Sequence, residues 1–240
     1  QAAAAGLAAI VAVGLVLTGR PDAGTGREAY PGSFREPAAG TGTMTGRARV
    51  VDGDTITIHN HKVRLEGIDA PEASQTCTTR TGRDWACGSV ATNTLAKLVE
   101  GGVSCEGRGL DKYGRTLARC FVGGIDINAE MVRRGLAWAF VRYSRSYVAQ
   151  EAEARATGVG IWSGTAVPAW DYRAGRWEVA EADAPKGCAI KGNVSHSERI
   201  YHMPWSPWYD RIRMDGGKGK RWFCSEAEAV AAGWRPAMTH

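Results

Sequence analysis

Short apolar and β-branched runs, separated by turn residues, make up the first part of the middle region of this chain. Asp52-Gly53 and Asn60-His61 interrupt three such runs, and dipeptides of this kind are typical of tight hairpin turns. Two further runs lie on either side of a later polar turn. The pattern therefore predicts five short strands, which we place at residues 47–51, 55–59, 63–68, 103–106 and 116–122.

Three other segments of the region have helical periodicity. In the first, one stripe of a helix is formed by four apolar residues, Val90, Leu95, Leu98 and Val99. Each of the other two is followed by a glycine, Gly135 or Gly158, the residue type that most readily takes the left-handed conformation beyond a helix end. We place helices at 88–100, 127–134 and 147–157. Mainly β structure is expected: a five-stranded Greek-key barrel of the OB-fold type, with about three helices packed outside it.

The ends of the chain differ from this middle region. Residues 2–17 form a long apolar run without a polar face, shorter than the roughly 20 residues of a full membrane span. The run favours a secretory signal over a buried helix, with an uncleaved membrane anchor as the alternative. We expect a signal or anchor segment at 1–18, a flexible linker at 19–46, the OB-fold domain at 47–164, a second linker at 165–186 and a small α+β accessory module at 187–238.

Charge and cysteine content refine the picture. The formal net charge of +5 permits a phosphate-rich partner without proving one. The six cysteines, an even number, fit an exported protein that is periplasmic, secreted or anchored to the bacterial envelope, although six reduced and buried thiols would also be compatible. The expected disulfides are Cys77–Cys87 around a short loop, Cys105–Cys120 across a hairpin and Cys188–Cys224 in the tail.

Three polar clusters carry the candidate chemistry: residues 52–55, 64–72 and 111–115. Each cluster alone has a plain explanation as a hairpin turn, a helix start or a solvated turn. Together they combine several acidic and basic side chains in one order along the chain, and this combination is more specific than any cluster alone.

In their order, their local spacing and the elements between them, the clusters resemble the thermonuclease (staphylococcal nuclease-like) family. The resemblance extends from Arg47 to Trp162 and includes the passage Asp126-Ile127-Asn128. It implies a Ca²⁺-dependent endonuclease that takes DNA and RNA as substrates and leaves 3′-phosphate ends. No protein partner is implied, and membrane anchoring would come from the N-terminal segment.

The resemblance also implies a metal site. Asp54 and Asp69 match positions that give carboxylate oxygens to Ca²⁺, and Ala70 matches a position that gives a backbone carbonyl. Hard oxygen ligands suit Ca²⁺, and two carboxylates leave room for water molecules and a substrate phosphate.

The catalytic and substrate-binding roles follow from the same resemblance. Glu72 matches the residue that activates the attacking water, and Arg64 and Arg115 match the pair that grips the scissile phosphate. Planar guanidinium groups can bind phosphate oxygens bidentately and neutralise charge in the transition state. Substrate contacts are expected from Lys112, Tyr113 and Tyr143, although an ordinary surface lysine and barrel-packing tyrosines would be compatible with the same sequence.

The rival interpretation is a non-catalytic OB-fold module that binds nucleic acid or envelope polysaccharide. The presence of Arg64, Glu72 and Arg115 together favours the enzyme, since binding modules of this kind usually lose one of these positions.

The function of the tail is not readable from its sequence. Its aromatic residues, among them Trp205 and Tyr209, would serve either as a stacking platform or as a small core. His196 and His202 are candidate metal ligands, with isolated surface histidines as the favoured alternative.

Overall fold

The computed structural model of the protein describes residues 39–185, 187–215, 217 and 219–237. The expected signal or anchor segment at 1–18 lies outside the described residues, as does the linker up to residue 38. In the part of the chain that is described, no helix is both long enough and apolar enough to span a bilayer.

The described chain contains strands, five α-helices and two 3-10 turns. The helices are α1 (Cys87–Leu98), α2 (Ile127–Arg133), α3 (Val148–Thr157), α4 (Ala169–Ala182) and α5 (Glu226–Ala231), and the 3-10 turns are Gly160–Ser163 and Tyr209–Arg211. The strands are β1 (Thr41–Gly46), β2 (Ala48–Asp52), β3 (Thr55–Ile58), β4 (His61–Leu65), β5 (Ile68–Asp69), β6 (Cys77–Thr79), β7 (Asp84–Trp85), β8 (Val103–Leu110), β9 (Thr116–Val122), β10 (Ile125–Asp126), β11 (Trp138–Ala139), β12 (Gly164–Thr165), β13 (Ile190–Ser195), β14 (Glu198–His202), β15 (Lys220–Phe223) and β16 (Arg235–Pro236).

A curled seven-stranded sheet forms the main domain, which is mainly β and compatible with an OB-like fold. Six strands follow the order β1-β8-β9-β4-β3-β2, and β10 pairs with β9. The expected number of five strands was too low, because β1 and β10 join the sheet. The strand β1 lies in the segment expected to be a linker, yet all six of its residues pair with β8. Its Thr and Gly residues carry almost no apolar pattern, so backbone pairing, rather than side-chain burial, defines this strand.

Most predicted elements of this domain occur within a few residues of their predicted positions. The strand predicted at 63–68 is divided into β4 and β5, because Gly67 takes a positive φ of 76° and turns the chain. The strand predicted at 103–106 continues to Leu110 and forms a long hairpin with β9. This hairpin carries the polar turn at residues 111–115.

The core of the main domain lies between the sheet and its helices. Leu65 from the sheet, Leu95 from α1 and Met131 from α2 are all at most 1% exposed and belong to one apolar cluster. Truncating a buried Leu or Met of this kind to Ala costs about 2–5 kcal/mol. The core thus fixes the positions of β3, β4 and β5, the strands that carry or adjoin Asp54, Arg64 and Asp69.

The segment 165–186, expected to be a linker, contains the 14-residue helix α4. Near its start, Trp170 stacks on Phe140 of the main domain with 5.6 Å between ring centroids. Near its middle, Trp177 approaches Trp205 of the tail with 6.5 Å between ring centroids. Helix α4 therefore contacts both the main domain and the tail.

The tail contains a four-stranded sheet, in the order β15-β13-β14-β16, and the short helix α5. Tyr201, Phe223 and Trp234 belong to its small apolar core. Tyr209 is 4% exposed, and its hydroxyl donates to the Ala189 carbonyl at 2.6 Å. Tyr209 is thus part of a small core, which leaves it unable to act as a stacking platform.

The described chain contains three disulfides, in the pairs that the cysteine spacing predicts. They join Cys77 to Cys87, Cys105 to Cys120, and Cys188 to Cys224. Within the described residues no cysteine is free, so the alternative of six reduced thiols is wrong. Cys105 and Cys120 are directly opposite each other in the β8–β9 hairpin.

Candidate active site

Two buried aspartates form the centre of the site. Asp54 lies in the turn between β2 and β3 and is 6% exposed, and Asp69 lies in β5 and is fully buried. The Ala70 amide donates to Asp54 Oδ2 at 2.7 Å, which ties the turn to β5. A Cβ atom on Gly53 would come within 2.7 Å of the Ala70 Cβ, so glycine permits this close approach. The structure thus brings the three expected metal-site residues together.

Arg64 on β4 contacts both aspartates. Its Nη2 donates to Asp69 Oδ1 at 2.8 Å, and its Nη1 forms an ion pair with Asp54. Burial lowers the pKa of Arg64, and the charge of Asp69 opposes this shift. The arginine expected to grip phosphate is therefore held at the carboxylates, with only 13% of its side chain exposed.

Glu72 lies three residues beyond Asp69, in the loop after β5. Burial raises the pKa of Glu72 to about 7; Arg173 opposes the shift, and the negative charge of Asp52 adds to it. A carboxylate whose pKa is near neutral is well suited to act as a general base, because it is substantially ionised and still basic at that pH.

Arg115 lies at the end of the turn between β8 and β9. The Asp111 carboxylate orders this turn: its Oδ1 accepts hydrogen bonds from the amides of Tyr113 and Arg115, both at 2.9 Å. Its Oδ2 accepts a hydrogen bond from Arg115 Nε at 2.6 Å. The positive charge of Arg115 also contributes to lowering the pKa of Arg64. The two expected phosphate-binding arginines thus lie on different elements, Arg64 on β4 and Arg115 in the turn before β9.

The expected substrate-binding residues are at the surface around this turn. Tyr113 is 41% exposed and Tyr143 is 75% exposed. Lys112 Nζ lies 4.8 Å from the centroid of the Tyr113 ring. Exposed rings of this kind can stack on bases, whereas barrel packing would have buried them.

One residue of the site, Arg173, was missed by the sequence analysis. From α4, its Nη1 donates to Glu72 Oε1 at 2.7 Å and its Nη2 donates to Asp69 Oδ2 at 2.8 Å. Burial lowers the pKa of Arg173. The hydrogen bonds to Asp69 and Glu72 and the negative charges of these two residues outweigh this effect, so the pKa of Arg173 lies above its ordinary value. The available signal was a helical stripe in the presumed linker, formed by Trp170, Arg173 and Trp177.

The chemistry of the donor set fits a hard cation such as Ca²⁺. It consists of oxygen atoms: the carboxylates of Asp54 and Asp69 and the carbonyl of Ala70. No group of three or more His, Cys, Asp or Glu residues suited to holding a metal occurs in the described ranges. The three donors would leave the other coordination positions of such a cation to water and substrate oxygens.

Comparison with known families divides the chain into two matched regions. Residues 62–164 match the family described as staphylococcal nuclease homologue. Residues 171–236 match the family described as ArfC, and this region includes most of α4 and the tail.

Individual relatives match about half of the chain. Succinoglycan biosynthesis protein ExoI of Rhizobium meliloti is 34% identical over 137 residues, which cover 55% of this chain and 72% of that protein. An endonuclease of Haemophilus influenzae is 38% identical over 48% of this chain and 64% of its own length. The micrococcal nuclease of Shigella flexneri is 37% identical over 52% of this chain and 77% of its own length. With this extent of similarity, the chain belongs to the staphylococcal nuclease homologue family.

Proposed function

We propose that this protein is a Ca²⁺-dependent endonuclease that hydrolyses phosphodiester bonds in DNA and RNA and leaves 3′-phosphate ends. The observation that carries the proposal is the arrangement of Asp54 and Asp69, two buried carboxylates beside Arg64, with Glu72 in the adjoining loop. Membership of a nuclease family supports the hydrolytic class of the enzyme.

The division of labour follows from the chemistry of each group. Asp54, Asp69 and the Ala70 carbonyl would hold Ca²⁺, which supplies positive charge against the scissile phosphate when it is bound. Glu72 accepts a proton from the attacking water, and its pKa of about 7 matches that task.

The two arginines act on the phosphate. Arg64 and Arg115 donate hydrogen bonds to its non-bridging oxygens, where negative charge grows in the transition state. The bond between Arg115 and Asp111 uses Nε, so that it orients the guanidinium group along one edge. A fixed orientation reduces the reorganisation needed when the phosphate binds.

Substrate recognition is expected to tolerate many sequences. The exposed rings of Tyr113 and Tyr143 offer stacking surfaces, and stacking on an aromatic ring contributes about 1–3 kcal/mol per base whatever the base. Lys112 beside Tyr113 adds charge for the nucleic-acid backbone. This combination supports the proposed substrate range of both DNA and RNA.

We place the enzyme outside the cytoplasm, in the periplasm, secreted or anchored to the envelope. The three disulfides support an oxidising compartment. Membrane anchoring through residues 1–18 is the corresponding proposal for the N-terminal segment.

A nuclease assay on Asp54→Ala tests the proposal. We expect the wild-type protein to cleave nucleic acid with Ca²⁺ and to stop when a chelator is added, and Asp54→Ala to lose most activity at every Ca²⁺ concentration. Asp84→Ala is the matched control, because the exposed Asp84 carboxylate accepts a hydrogen bond from Thr78 in the short β6–β7 hairpin. Full activity of Asp54→Ala in chelator would contradict the metal assignment, and binding without cleavage by the wild type would support the non-catalytic rival.

A further inference from the structure

Helix α4 places a third guanidinium group among the catalytic carboxylates. Arg173 donates to Asp69 Oδ1 at 3.2 Å, to Asp69 Oδ2 at 2.8 Å and to Glu72 Oε1 at 2.7 Å. Asp69 is fully buried, and only 16% of the Glu72 side chain is exposed. The contact is therefore a largely desolvated ion-pair network and differs from a loose surface pair.

We infer that Arg173 competes with Ca²⁺ for the active-site carboxylates, so that the segment after the nuclease domain sets the calcium affinity of the enzyme. The inference rests on the proposed function, in which Asp69 is a Ca²⁺ ligand. Residue 173 lies outside the matched nuclease region at 62–164, in the region matched to a different family.

The competition follows from the lone pairs of Asp69. Arg64 and Arg173 both donate to Oδ1, and Arg173 also donates to Oδ2. A Ca²⁺ ion needs a carboxylate oxygen at about 2.3–2.6 Å, on the side where a guanidinium donor would otherwise lie. If the ion and the guanidinium group of Arg173 both contacted the Asp69 carboxylate, their positive charges would also repel each other. These guanidinium donors leave about one lone-pair site of the carboxylate free, on Oδ2, so binding of the ion through Oδ1 or through both oxygens requires a guanidinium donor to withdraw.

The main domain holds the start of α4 close to the site. The side-chain amide of Gln75 donates to the Val167 carbonyl at 2.6 Å, just before the helix begins. Trp170 then stacks on Phe140. These contacts lie within one or two turns of Arg173, so they keep its backbone beside the loop that carries Glu72.

The tail holds the next turn of the helix. Arg176 donates to both oxygens of Asp210 and to the Pro204 carbonyl, at distances of 2.9 to 3.0 Å. The Ser74 hydroxyl donates to the Trp205 carbonyl at 2.8 Å, which joins the tail to the loop just after Glu72. The tail thus braces α4 and the catalytic loop together, and this bracing favours the ion pairs of Arg173.

Calorimetric titration of the full chain with CaCl₂, without nucleic acid, tests the inference directly. Arg173→Ala removes the competing charge, and Arg173→Gln removes the charge while keeping a polar, although shorter, side chain. We expect both variants to bind Ca²⁺ at least about tenfold more tightly than the wild type, which corresponds to about 1.4 kcal/mol. The Gln variant decides the question if Arg173→Ala does not fold.

Arg133→Ala is the matched control. Arg133 also bridges two carboxylates, Glu130 at 2.9 Å and Glu153 at 3.2 Å, but it does so on the outer surface of α2 and α3. Its loss should leave the calcium affinity unchanged. An affinity of the Arg173 variants equal to, or weaker than, that of Arg133→Ala would overturn the competition alone. Absence of calcium binding in every variant would overturn the proposed metal dependence, and the competition with it.

Discussion

We expect the disulfide between Cys105 and Cys120 to stabilise the hairpin that carries Arg115 in its turn. Both cysteines are fully buried, and their Cα atoms lie 4.0 Å apart on opposite strands. The double variant Cys105→Ala/Cys120→Ala removes the bond without leaving an unpaired thiol. Because the strands β8 and β9 remain paired through their backbones, this variant should fold with the same hairpin register.

The expected cost of this change can be worked from the length of the closed loop. The two cysteines are 15 residues apart, and a loop of that length corresponds to about 3 kcal/mol in the chain-entropy account of disulfide stabilisation. For a protein of this size, 1 kcal/mol shifts the melting temperature by about 2–4 °C. The double variant should therefore melt about 6–12 °C below the wild type.

Thermal unfolding followed by circular dichroism, without reductant, measures this loss. The control is Cys77→Ala/Cys87→Ala, whose disulfide closes a shorter loop with a separation of 10 residues. By the chain-entropy account, the Cys77–Cys87 disulfide stabilises the protein by about 0.4 kcal/mol less than the Cys105–Cys120 disulfide does. The two double variants should therefore melt within a few degrees of each other. At temperatures well below unfolding, nuclease activity of the Cys105→Ala/Cys120→Ala protein should change little. An unchanged melting temperature would show that this disulfide does not contribute to stability.

Two other variants test the site and the tail separately. Arg115→Lys keeps the positive charge but loses the planar fork, so the steady-state cleavage rate should fall by about 10² or more, and an unchanged rate would exclude a bidentate role. Burial lowers the pKa of His202 to about 4, and the charges of Lys191 and Lys220 add to the shift. The His202 side chain therefore binds a proton more readily in the unfolded chain than in the folded tail. Its contribution to the free energy of unfolding is complete above about pH 6.5, and it declines by at most about 3 kcal/mol as the pH falls to 4. Unfolding of His202→Asn followed at pH 7 and pH 4.5 should show a weaker pH dependence, and an equal dependence in both proteins would exclude His202 as its source.

The sequence predicts the elements of the main domain because their patterns are local. The turn residues between β2, β3 and β4 and the apolar stripe of α1 are visible within short windows, and the observed elements agree. Resemblance to a nuclease family then indicates which polar side chains belong together. The structure brings Asp54, Arg64 and Asp69 into direct contact, although ion pairing of Arg64 with the carboxylates was not expected.

The parts that could not be predicted depend on distant contacts. The strand β1 has mostly exposed residues and exists through its pairing with β8, about 60 positions away. The segment that forms α4 contains aromatic and charged residues among Ala and Gly, and this composition is also typical of a linker. The stripe of α4 could have indicated a helix, but it does not indicate that Arg173 contacts a carboxylate 104 positions earlier in the chain.

We propose above that Glu72 makes this site a hydrolytic one, because it accepts a proton from the attacking water. The most direct measurement compares cleavage by the wild-type protein and by Glu72→Gln on single-stranded DNA, double-stranded DNA and RNA, with Ca²⁺ and with a chelator. The wild type should cleave with Ca²⁺ and leave 3′-phosphate ends, whereas Glu72→Gln should still bind these substrates and lose most of its turnover. Equal cleavage by the two proteins, or binding without cleavage by the wild type, would contradict the account.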